Sequence, residues 1–511
     1  MNVERANKSK VYLVGAGPGR ADLITVRGAE VLKKADCIIY DKLANPALLR
    51  FARADAEIIH VPKRTGGAQV EQEEINRLLL EKASAGRTVV RLKGGDPCIF
   101  GRVAEELAVL IGAGIDFEIV PGLTAGIAVS AYAGIMLTDR DYSSQVVFVT
   151  GREAEGKQDS NIDWQLLAEF RGTIVFYMGV GNLGFIVKRL TENGMAADTP
   201  AAVIADATFP TQRVVKAALD NISEKCKQRA IEPPAIIIIG TAAARNEKLS
   251  WFMNKPLFGK NLVITRDVAG NADFAAKVIE RGGNPIEFAT IKIKPLTKTN
   301  EFLRSLATIT EYDWIIFTSV NGVKIFFEAL QNLGKDARVF GSTKIAAIGG
   351  KTAAKLSEFG IKADFVPGVF TSKELGRQLA AHTNLKEKKV LLLRSKLASN
   401  ELVELLTKGG AEVQDVAVYT AEHEKNKSDW LIEDINSNRI DWLTFASPSS
   451  VNGFFEQINS GLVNSANVKV ASIGPVTSER LQTLGLKVDV TAADYTLDGL
   501  LDAIEQTYKG I

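Results

Sequence analysis

The sequence is poor in the residues that most often bind metals or form disulfides, with three cysteines and three histidines in 511 residues. The cysteines form no CxxC pair and no disulfide ladder, which suits a reducing cytosol and predicts a cytoplasmic protein. The histidines are widely separated, which disfavours zinc-hydrolase and Ser-His-Asp chemistry. No metal or flavin motif occurs, so we expect neither group.

Charge of one sign and long apolar runs are also scarce. The formal net charge is only +2, which gives no reason to expect a nucleic-acid partner. The longest apolar run, AIIIIG at 235–240, is far shorter than a membrane span and predicts a buried strand. The first ten residues are polar and mixed in charge, so we expect no secretory signal and no membrane association. The length predicts more than one domain.

Strand-like runs alternate with helical periodicity along the whole chain, which predicts an α/β protein with mostly parallel sheets. Each run is apolar or β-branched and stops at Gly, Asp or Pro. The clearest runs are VYLVGAG, CIIYD, TVVRLKGG, FEIVPG, VVFVTG, TIVFYMG and AAVIAD. In open α/β sheets ligands bind at the carboxyl ends of the strands, so the residues after these runs are the first candidates for a site.

The second half contains an internal repeat, which begins after a Pro- and Gly-containing boundary at 251–260. The segment at 313–330 matches the one at 441–458, and the segment at 344–360 matches the one at 469–485. A weaker match relates NLVITR at 261–266 to KVLLLR at 389–394. Three blocks that recur in the same order predict a duplicated α/β unit with two lobes and a cleft between them.

The first glycine-rich motif, GAGPG, allows two interpretations. A dinucleotide fingerprint needs G-x-G-x-x-G at a helix start and an acid about 20 residues later. Gly15 and Gly17 fit, and Asp41 ends the strand CIIYD, but Arg20 occupies the third glycine position and Pro18 intrudes. A nicotinamide-dependent oxidoreductase, fused to a bilobed ligand-sensing module, therefore stays open as the alternative.

Other strand ends in the first half are equally open. RLKGGDPCIFGR at 91–102, VPGLTAG at 120–126 and FYMG at 176–179 each follow a strand. Glycines let a ligand approach the backbone, Asp96 can accept from a ribose or amine, and Thr124 is placed to cap a helix. Each motif alone is typical of a structural turn, but together they favour a nucleoside-sized pocket.

In this order and spacing, VGAGPG, YDKLANP, RLKGGDPCIFGR, VPGLTA, LTDRDY and FYMG resemble the tetrapyrrole methylase family, and in particular its uroporphyrinogen-III C-methyltransferases. The resemblance implies a two-subdomain α/β domain over 10–255 that uses S-adenosylmethionine and pairs into a homodimer. One departure is Arg20-Ala21 where the family usually has Asp-Pro, which changes the fine shape of that loop.

The resemblance also implies site residues. It places S-adenosylmethionine against Pro18, Gly94, Gly95, Asp96, Ile99, Thr124, Ala125, Met178 and Ala207. It makes Asp41 the proton acceptor and Lys63 the proton donor. Asp41 can also be a turn residue, and Lys63 can hold a substrate carboxylate instead. Because the substrate carries eight carboxylates, the cations Lys63, Arg64, Arg102, Arg140 and Arg152 are binding candidates.

The second half contains two pairs of segments that each predict a strand, a turn and a helix start: FTSVNG with FASPSSVNG, and IGGKT with IGPVT. At such helix starts, backbone N–H groups and hydroxyls can bind anions. With VAVYTAEH around Tyr419, these segments resemble the uroporphyrinogen-III synthase family. The resemblance implies a bilobed α/β domain over 259–511. One lobe would comprise 259–296 and 423–511, the other 297–422, with linkers at IKIKPL and VAVYTAEH.

The synthase resemblance implies closure of hydroxymethylbilane to uroporphyrinogen III with inversion of ring D. Tyr419 would protonate the leaving hydroxyl, or else only pack at the hinge. The hydroxyls that are binding candidates are those of Thr318, Ser319, Thr352, Ser447, Ser450 and Thr477. Together the two resemblances imply a bifunctional enzyme that also methylates uroporphyrinogen III twice, giving precorrin-2 for sirohaem or cobalamin.

Overall fold

A computed structural model of the chain describes residues 9–53, 55–61, 72–152, 161–244, 249–424 and 428–509. The chain divides into two compact units, Met1–Lys260 with Val278–Asn284 and Asn261–Lys277 with Pro285–Ile511. These described residues form four five-stranded sheets, two before residue 240 and two after residue 260. Among the residues described, no helix combines the length and the apolar character needed to cross a membrane.

Within the described residues, the first unit contains ten strands and seven α-helices. The strands are β1 (Lys10–Gly15), β2 (Cys37–Asp41), β3 (Glu57–Val61), β4 (Thr88–Lys93), β5 (Asp116–Val120), β6 (Val146–Thr150), β7 (Thr173–Tyr177), β8 (Pro200–Ala205), β9 (Arg213–Ala218) and β10 (Ala235–Ile239). The helices are α1 (Val26–Leu32), α2 (Gln72–Ser84), α3 (Val103–Gly112), α4 (Ala125–Ala133), α5 (Trp164–Glu169), α6 (Leu183–Glu192) and α7 (Leu219–Gln228).

The first sheet has the order β3-β2-β4-β1-β5, and all of its strand pairs are parallel. Its central strands are nearly continuous apolar runs because helices cover both faces of a parallel sheet. All five carboxyl ends therefore lie on one edge, and the loops after β1, β2, β4 and β5 carry the motifs GAGPG, YDKLANP, RLKGGDPCIFGR and VPGLTAG. Within β4, however, Arg91 and Lys93 are buried among apolar neighbours.

The second sheet, β6-β7-β10-β8-β9, does not follow the predicted parallel pattern. Only β6 and β7 are parallel, whereas β10 pairs antiparallel with both of its neighbours and β8 pairs antiparallel with β9. The expectation of mostly parallel pairing is wrong here, because β10 is buried on both faces and such a run carries no information about strand direction.

In the described part of the chain beyond residue 260 there are ten strands and eleven α-helices. The strands are β11 (Asn261–Ile264), β12 (Asn284–Glu287), β13 (Ile291–Pro295), β14 (Trp314–Phe317), β15 (Lys344–Ala347), β16 (Lys389–Ser395), β17 (Glu412–His423), β18 (Trp442–Phe445), β19 (Lys469–Ser472) and β20 (Val490–Thr491). The helices are α8 (Val268–Glu280), α9 (Asn300–Ala307), α10 (Val320–Asn332), α11 (Gly350–Glu358), α12 (Ser372–His382), α13 (Glu401–Lys408), α14 (Asp429–Asn436), α15 (Pro448–Phe455), α16 (Ser460–Ser465), α17 (Pro475–Thr483) and α18 (Leu497–Gln506).

These strands form a sheet of order β12-β11-β18-β19-β20 and another of order β13-β17-β16-β14-β15. The segments IKIKPL and VAVYTAEH, predicted as linkers, are largely the strands β13 and β17, which pair antiparallel from Ile291–His423 to Pro295–Tyr419. These two segments therefore form a regular antiparallel strand pair, and Tyr419 is part of it.

The predicted duplication is visible in individual contacts. Trp314 and Trp442 occupy matching strand positions, and the ammonium groups of Lys344 and Lys469 lie over their rings at 5.6 and 5.4 Å. Just after the second repeated block, the Asp364 carboxylate accepts from the N–H of Ile345, and the Asp489 carboxylate accepts from that of Val470 at the equivalent position. The two halves of the second unit thus repeat the same local structure.

Candidate functional site

Three glycine-containing loops meet at the carboxyl edge of the first sheet. The backbones of Gly17 and Gly95 exchange two hydrogen bonds, of 3.1 and 2.7 Å, which join the loop after β1 to the loop after β4. The Asp96 carboxylate accepts from the N–H of Gly122 at 2.9 Å, which joins the loop after β5. The same carboxylate accepts from the N–H of Cys98 at 2.8 Å. Both Asp96 oxygens are therefore used to hold the loops together.

The loops pack so closely that side chains are excluded. A Cβ atom at Gly122 would lie 2.2 Å from the Gly95 carbonyl oxygen, and one at Gly15 would lie 2.5 Å from the Gly122 Cα. Only glycine permits this backbone crossing. A Cβ atom at Gly95 itself would meet nothing closer than 3.8 Å, although Gly95 has a φ of +69°. The Gly95 face is therefore open to a ligand.

The second sheet of the same unit contributes to this edge through Tyr177. The Tyr177 hydroxyl lies 2.9 Å from the Thr124 hydroxyl and accepts from the N–H of Gly126 at 2.8 Å. Burial raises the pKa of Tyr177. Thr124 occupies the N-cap position of α4, as predicted, but its side chain makes no capping bond because it contacts Tyr177 instead.

Several non-glycine residues of the first unit have strained backbone conformations just after strands. Phe100 and Arg102 have positive φ in the loop after β4, and Met178, Asp206 and Thr208 have positive φ in the loops after β7 and β8. Such conformations cost energy and cluster at ligand sites. Met178 is 53% exposed, while Ile99, Ala125 and Ala207 pack together against one apolar cluster. Among these predicted cofactor residues, Ala125 lies next to the open face of Gly95, with its backbone nitrogen 3.8 Å from the position of a Cβ atom there.

The Arg20-Ala21 departure is accommodated locally. The Arg20 N–H donates to the Thr208 hydroxyl at 3.0 Å, and its guanidinium pairs with Asp22. This pairing holds the pKa of Asp22 below its usual value. Next to it, Pro18 is half-buried, and the Asn45 amide donates to the Gly19 carbonyl at 2.8 Å. The loop after β1 is thus fixed from three sides without the usual Asp-Pro.

Asp41 ends β2 on the same edge and is partly exposed. One carboxylate oxygen accepts from the N–H of Leu43 at 3.1 Å, and the other accepts from the Arg91 guanidinium at 3.2 Å. The Asp41 side chain is 28% exposed, whereas that of Arg91 is 3% exposed. Asp41 was predicted as a site residue from its place at the end of CIIYD, whereas Arg91, which orients it, was not predicted.

Arg91 belongs to a buried charge cluster that was not predicted from the sequence. Glu106, fully buried on α3, accepts from Arg91 at 3.2 Å and from the Lys93 ammonium at 2.7 Å. Burial and the neighbouring Arg91 lower the pKa of Lys93. The sequence feature that could have indicated this cluster is the presence of two cations, Arg91 and Lys93, at alternate positions of the otherwise apolar strand TVVRLK.

The predicted substrate-binding cations that the structure describes lie in different surroundings. Lys63 and Arg64 lie outside the described residues. Arg102 begins α3 beside the Asp96 loop and pairs with Glu105 at 2.6 Å. Arg140 and Arg152 are exposed, the first in the turn after α4 and the second just after β6. Their roles in binding stay predictions.

In the second unit the structure brings Tyr419 and Ser319 together. The Tyr419 hydroxyl donates to the Ser319 hydroxyl oxygen at 3.0 Å, and Ser319 also caps α10 by accepting from the N–H of Gly322 at 3.0 Å. Tyr419 is 8% exposed. Thr318, next to this pair, is half-buried. Tyr419 therefore packs in the fold and also points a hydroxyl at a helix start.

The remaining hydroxyl candidates are engaged within their own helices or buried. Ser447 caps α15 by accepting from the N–H of Ser450, whose hydroxyl donates back to the Ser447 carbonyl at 2.8 Å. Thr352 and Thr477 are buried in the first turns of α11 and α17. The cap positions of those two helices are held by glycines, not by the hydroxyl residues.

Comparison with known proteins gives two family matches. Residues 10–223 match the model of the Tetrapyrrole (Corrin/Porphyrin) Methylases, and residues 272–502 match that of Uroporphyrinogen-III synthase HemD. The first match includes GAGPG and Asp41, so it favours a methylase over the nicotinamide-dependent alternative. These matches define an enzyme of tetrapyrrole biosynthesis in which a methylase precedes a synthase.

Curated relatives extend this class to the whole chain. The Porphyrin biosynthesis protein HemD of Ruminiclostridium josui is 37% identical over 494 residues, 97% of each chain. The Uroporphyrinogen-III C-methyltransferase of Bacillus subtilis is 41% identical over 350 residues, 68% of this chain and 71% of the relative. The S-adenosyl-L-methionine-dependent uroporphyrinogen III methyltransferase of Methanosarcina barkeri is 47% identical over 234 residues, 46% of this chain and 92% of the relative.

The chain belongs to this family of fused tetrapyrrole methyltransferase and uroporphyrinogen-III synthase proteins. The family resemblances inferred from the motifs, the α/β fold class and the bifunctional enzyme are confirmed.

Proposed function

We propose that the first unit transfers two methyl groups from S-adenosylmethionine to uroporphyrinogen III, giving precorrin-2, and that the second unit makes uroporphyrinogen III from hydroxymethylbilane with inversion of ring D. The observation that carries the first activity is the meeting of the Gly17, Gly95 and Gly122 loops beside Asp41. We assign the methyltransferase to 10–255 and the synthase, with its two lobes, to 259–511.

The residues present fit S-adenosylmethionine. The open face of Gly95 permits close approach, Met178 is exposed, and Ile99, Ala125 and Ala207 pack against one apolar cluster. When bound, this cofactor supplies an electrophilic methyl group. The remaining work of the protein is to align the pyrrole carbon and exclude water. We infer that no metal or flavin takes part.

Asp41 would remove the proton that the pyrrole ring loses after methylation. Its carboxylate lies at the open edge of the sheet, where a substrate can reach it, and it is held by Leu43 and Arg91. A base fixed in one orientation avoids reorganisation during the reaction. We keep Lys63 as the proposed proton donor, with Arg64, Arg102, Arg140 and Arg152 as ligands for the substrate carboxylates.

For the synthase activity, we infer that the Tyr419 hydroxyl assists departure of the hydroxyl group of hydroxymethylbilane. Support comes from its 3.0 Å hydrogen bond to Ser319 at the start of α10, where backbone donors can bind substrate carboxylates. We also propose that the protein forms a homodimer through its first unit. Its product, precorrin-2, would be used for sirohaem or cobalamin synthesis.

The decisive experiment supplies the purified protein with hydroxymethylbilane and S-adenosylmethionine and analyses the products by mass and isomer. We expect precorrin-2 with the cofactor and uroporphyrinogen III without it. Only the isomer I, which forms spontaneously, would refute the synthase activity. Uroporphyrinogen III that stays unmethylated with the cofactor present would refute the methyltransferase activity.

Replacing Tyr419 by phenylalanine is expected to slow cyclisation by about tenfold or more, because the proton-donating hydroxyl is lost. The free energy of unfolding should fall by only about 1 kcal/mol, the usual contribution of one hydrogen bond. Tyr312→Phe is the matched control, since Tyr312 is equally buried and its hydroxyl donates to Gln414. Cyclisation rates that are equal in the two variants would reduce Tyr419 to a packing residue.

A further inference from the structure

The buried charge cluster under the proposed active site consists of Arg91, Lys93 and Glu106. Arg91 and Lys93 alternate along β4 and so point to the same face of the sheet. Glu106 on α3 covers that face, and the three residues are 3%, 4% and 0% exposed. A single Glu106 oxygen, Oε1, accepts from both cations.

Fold stability is a weak explanation for this cluster. Buried ion pairs are often no more stabilising than apolar side chains of the same volume, because the charges must be removed from water. The second oxygen of Glu106, Oε2, is buried and accepts no hydrogen bond from the described residues. Leaving such an atom unsatisfied costs further energy. A requirement other than folding therefore favours these charges.

The hydrogen bonds of the Arg91 guanidinium indicate that the cluster serves to orient Arg91 toward Asp41. Its Nε donates to Glu106, one terminal nitrogen donates to the Leu92 carbonyl at 3.2 Å, and the other donates to Asp41 at 3.2 Å. Because the guanidinium group is planar and rigid, fixing two of its nitrogens aims the third. The third nitrogen is the one that contacts the proposed base.

We propose that Glu106 is a positioning residue for methyl transfer, which acts through Arg91 to hold the Asp41 carboxylate in place. Glu106 contacts neither substrate nor cofactor in this role. The inference rests on the proposed function of Asp41 as the base. The competing view is that Glu106 only neutralises two buried cations so that the first unit can fold.

The test compares Glu106→Gln with Glu106→Asp in the full chain. We expect Glu106→Gln to lower the kcat of methylation at least tenfold, while KM for S-adenosylmethionine and affinity for S-adenosylhomocysteine change less than twofold. Glu106→Asp, which restores the charge, should be at least threefold faster than Glu106→Gln. Glu81→Gln is the matched control, because Glu81 is an exposed carboxylate paired with Arg77. Its turnover should equal that of the wild type.

A double-mutant cycle with Asp41→Asn separates positioning from general damage. If Glu106 acts through Asp41, the double variant should be no slower than Asp41→Asn alone. Multiplied losses would overturn the proposal while leaving the base assignment intact. Full activity of Asp41→Asn would instead refute the base itself.

A variant that leaves the net charge of the cluster unchanged is used in case Glu106→Gln does not fold. Lys93→Met combined with Glu106→Gln removes one buried cation together with the carboxylate, so the cluster keeps its net charge. We expect this variant to bind S-adenosylhomocysteine normally and still methylate at least tenfold more slowly. Wild-type turnover in this variant would show that only the charge balance mattered and would overturn the proposal.

Discussion

Asp41→Asn is expected to lower methylation by at least a hundredfold, the scale of general-base catalysis, while the affinity for S-adenosylhomocysteine stays within about twofold of the wild type. The asparagine oxygen can still accept from the N–H of Leu43 or from Arg91, so the loop should keep its shape. What is lost is the ability to take a proton. Calorimetry with S-adenosylhomocysteine and a steady-state methylation assay measure the two quantities.

Two controls make this result specific to the base. Asp55→Asn changes an exposed carboxylate that pairs only with Arg53 among the residues described, and it should leave both quantities unchanged. The synthase activity of the same Asp41→Asn protein should also be normal, which tests that the chain is intact. Methylation at the wild-type rate would make Asp41 a turn residue, the alternative that the sequence left open.

The strands could be predicted because strands that are buried on both faces of a sheet are continuous apolar runs, as in CIIYD and AIIII. The same property explains why the direction of β10 could not be predicted, since a run that is buried on both faces is identical in either direction. The repeat of the second half was visible because its strand starts retain the same residues, such as Trp314 and Trp442.

The site was only partly predictable for a different reason. Gly95 and Asp96 lie in motifs with recognisable chemistry, but the role of Asp96 in holding Gly122 depends on two loops that are separate in sequence. The cluster of Arg91 and Glu106 depends on the packing of α3 against β4, which residue spacing alone does not reveal. Positive φ at Met178 likewise has no sequence signature.

Gly122→Ala is expected to reduce the affinity for S-adenosylhomocysteine by at least a hundredfold, which at 1.4 kcal/mol per tenfold corresponds to about 3 kcal/mol. The new methyl group would lie 2.2 Å from the Gly95 carbonyl oxygen and 2.7 Å from the Gly15 Cα. Both neighbours are backbone atoms, so no side chain can rotate away. The free energy of unfolding of the first unit should fall by about 1–3 kcal/mol, the usual cost of overpacking.

Gly112→Ala is the control that isolates this crossing. Gly112 ends α3, and a Cβ atom there meets nothing within 4 Å. Alanine should therefore leave the affinity unchanged and raise stability slightly, because alanine favours a helix over glycine by about 1 kcal/mol. Cyclisation of hydroxymethylbilane should be normal in both variants. If Gly122→Ala bound the cofactor product as tightly as Gly112→Ala, the three loops could separate without loss. The close backbone contact would then not be what shapes the pocket.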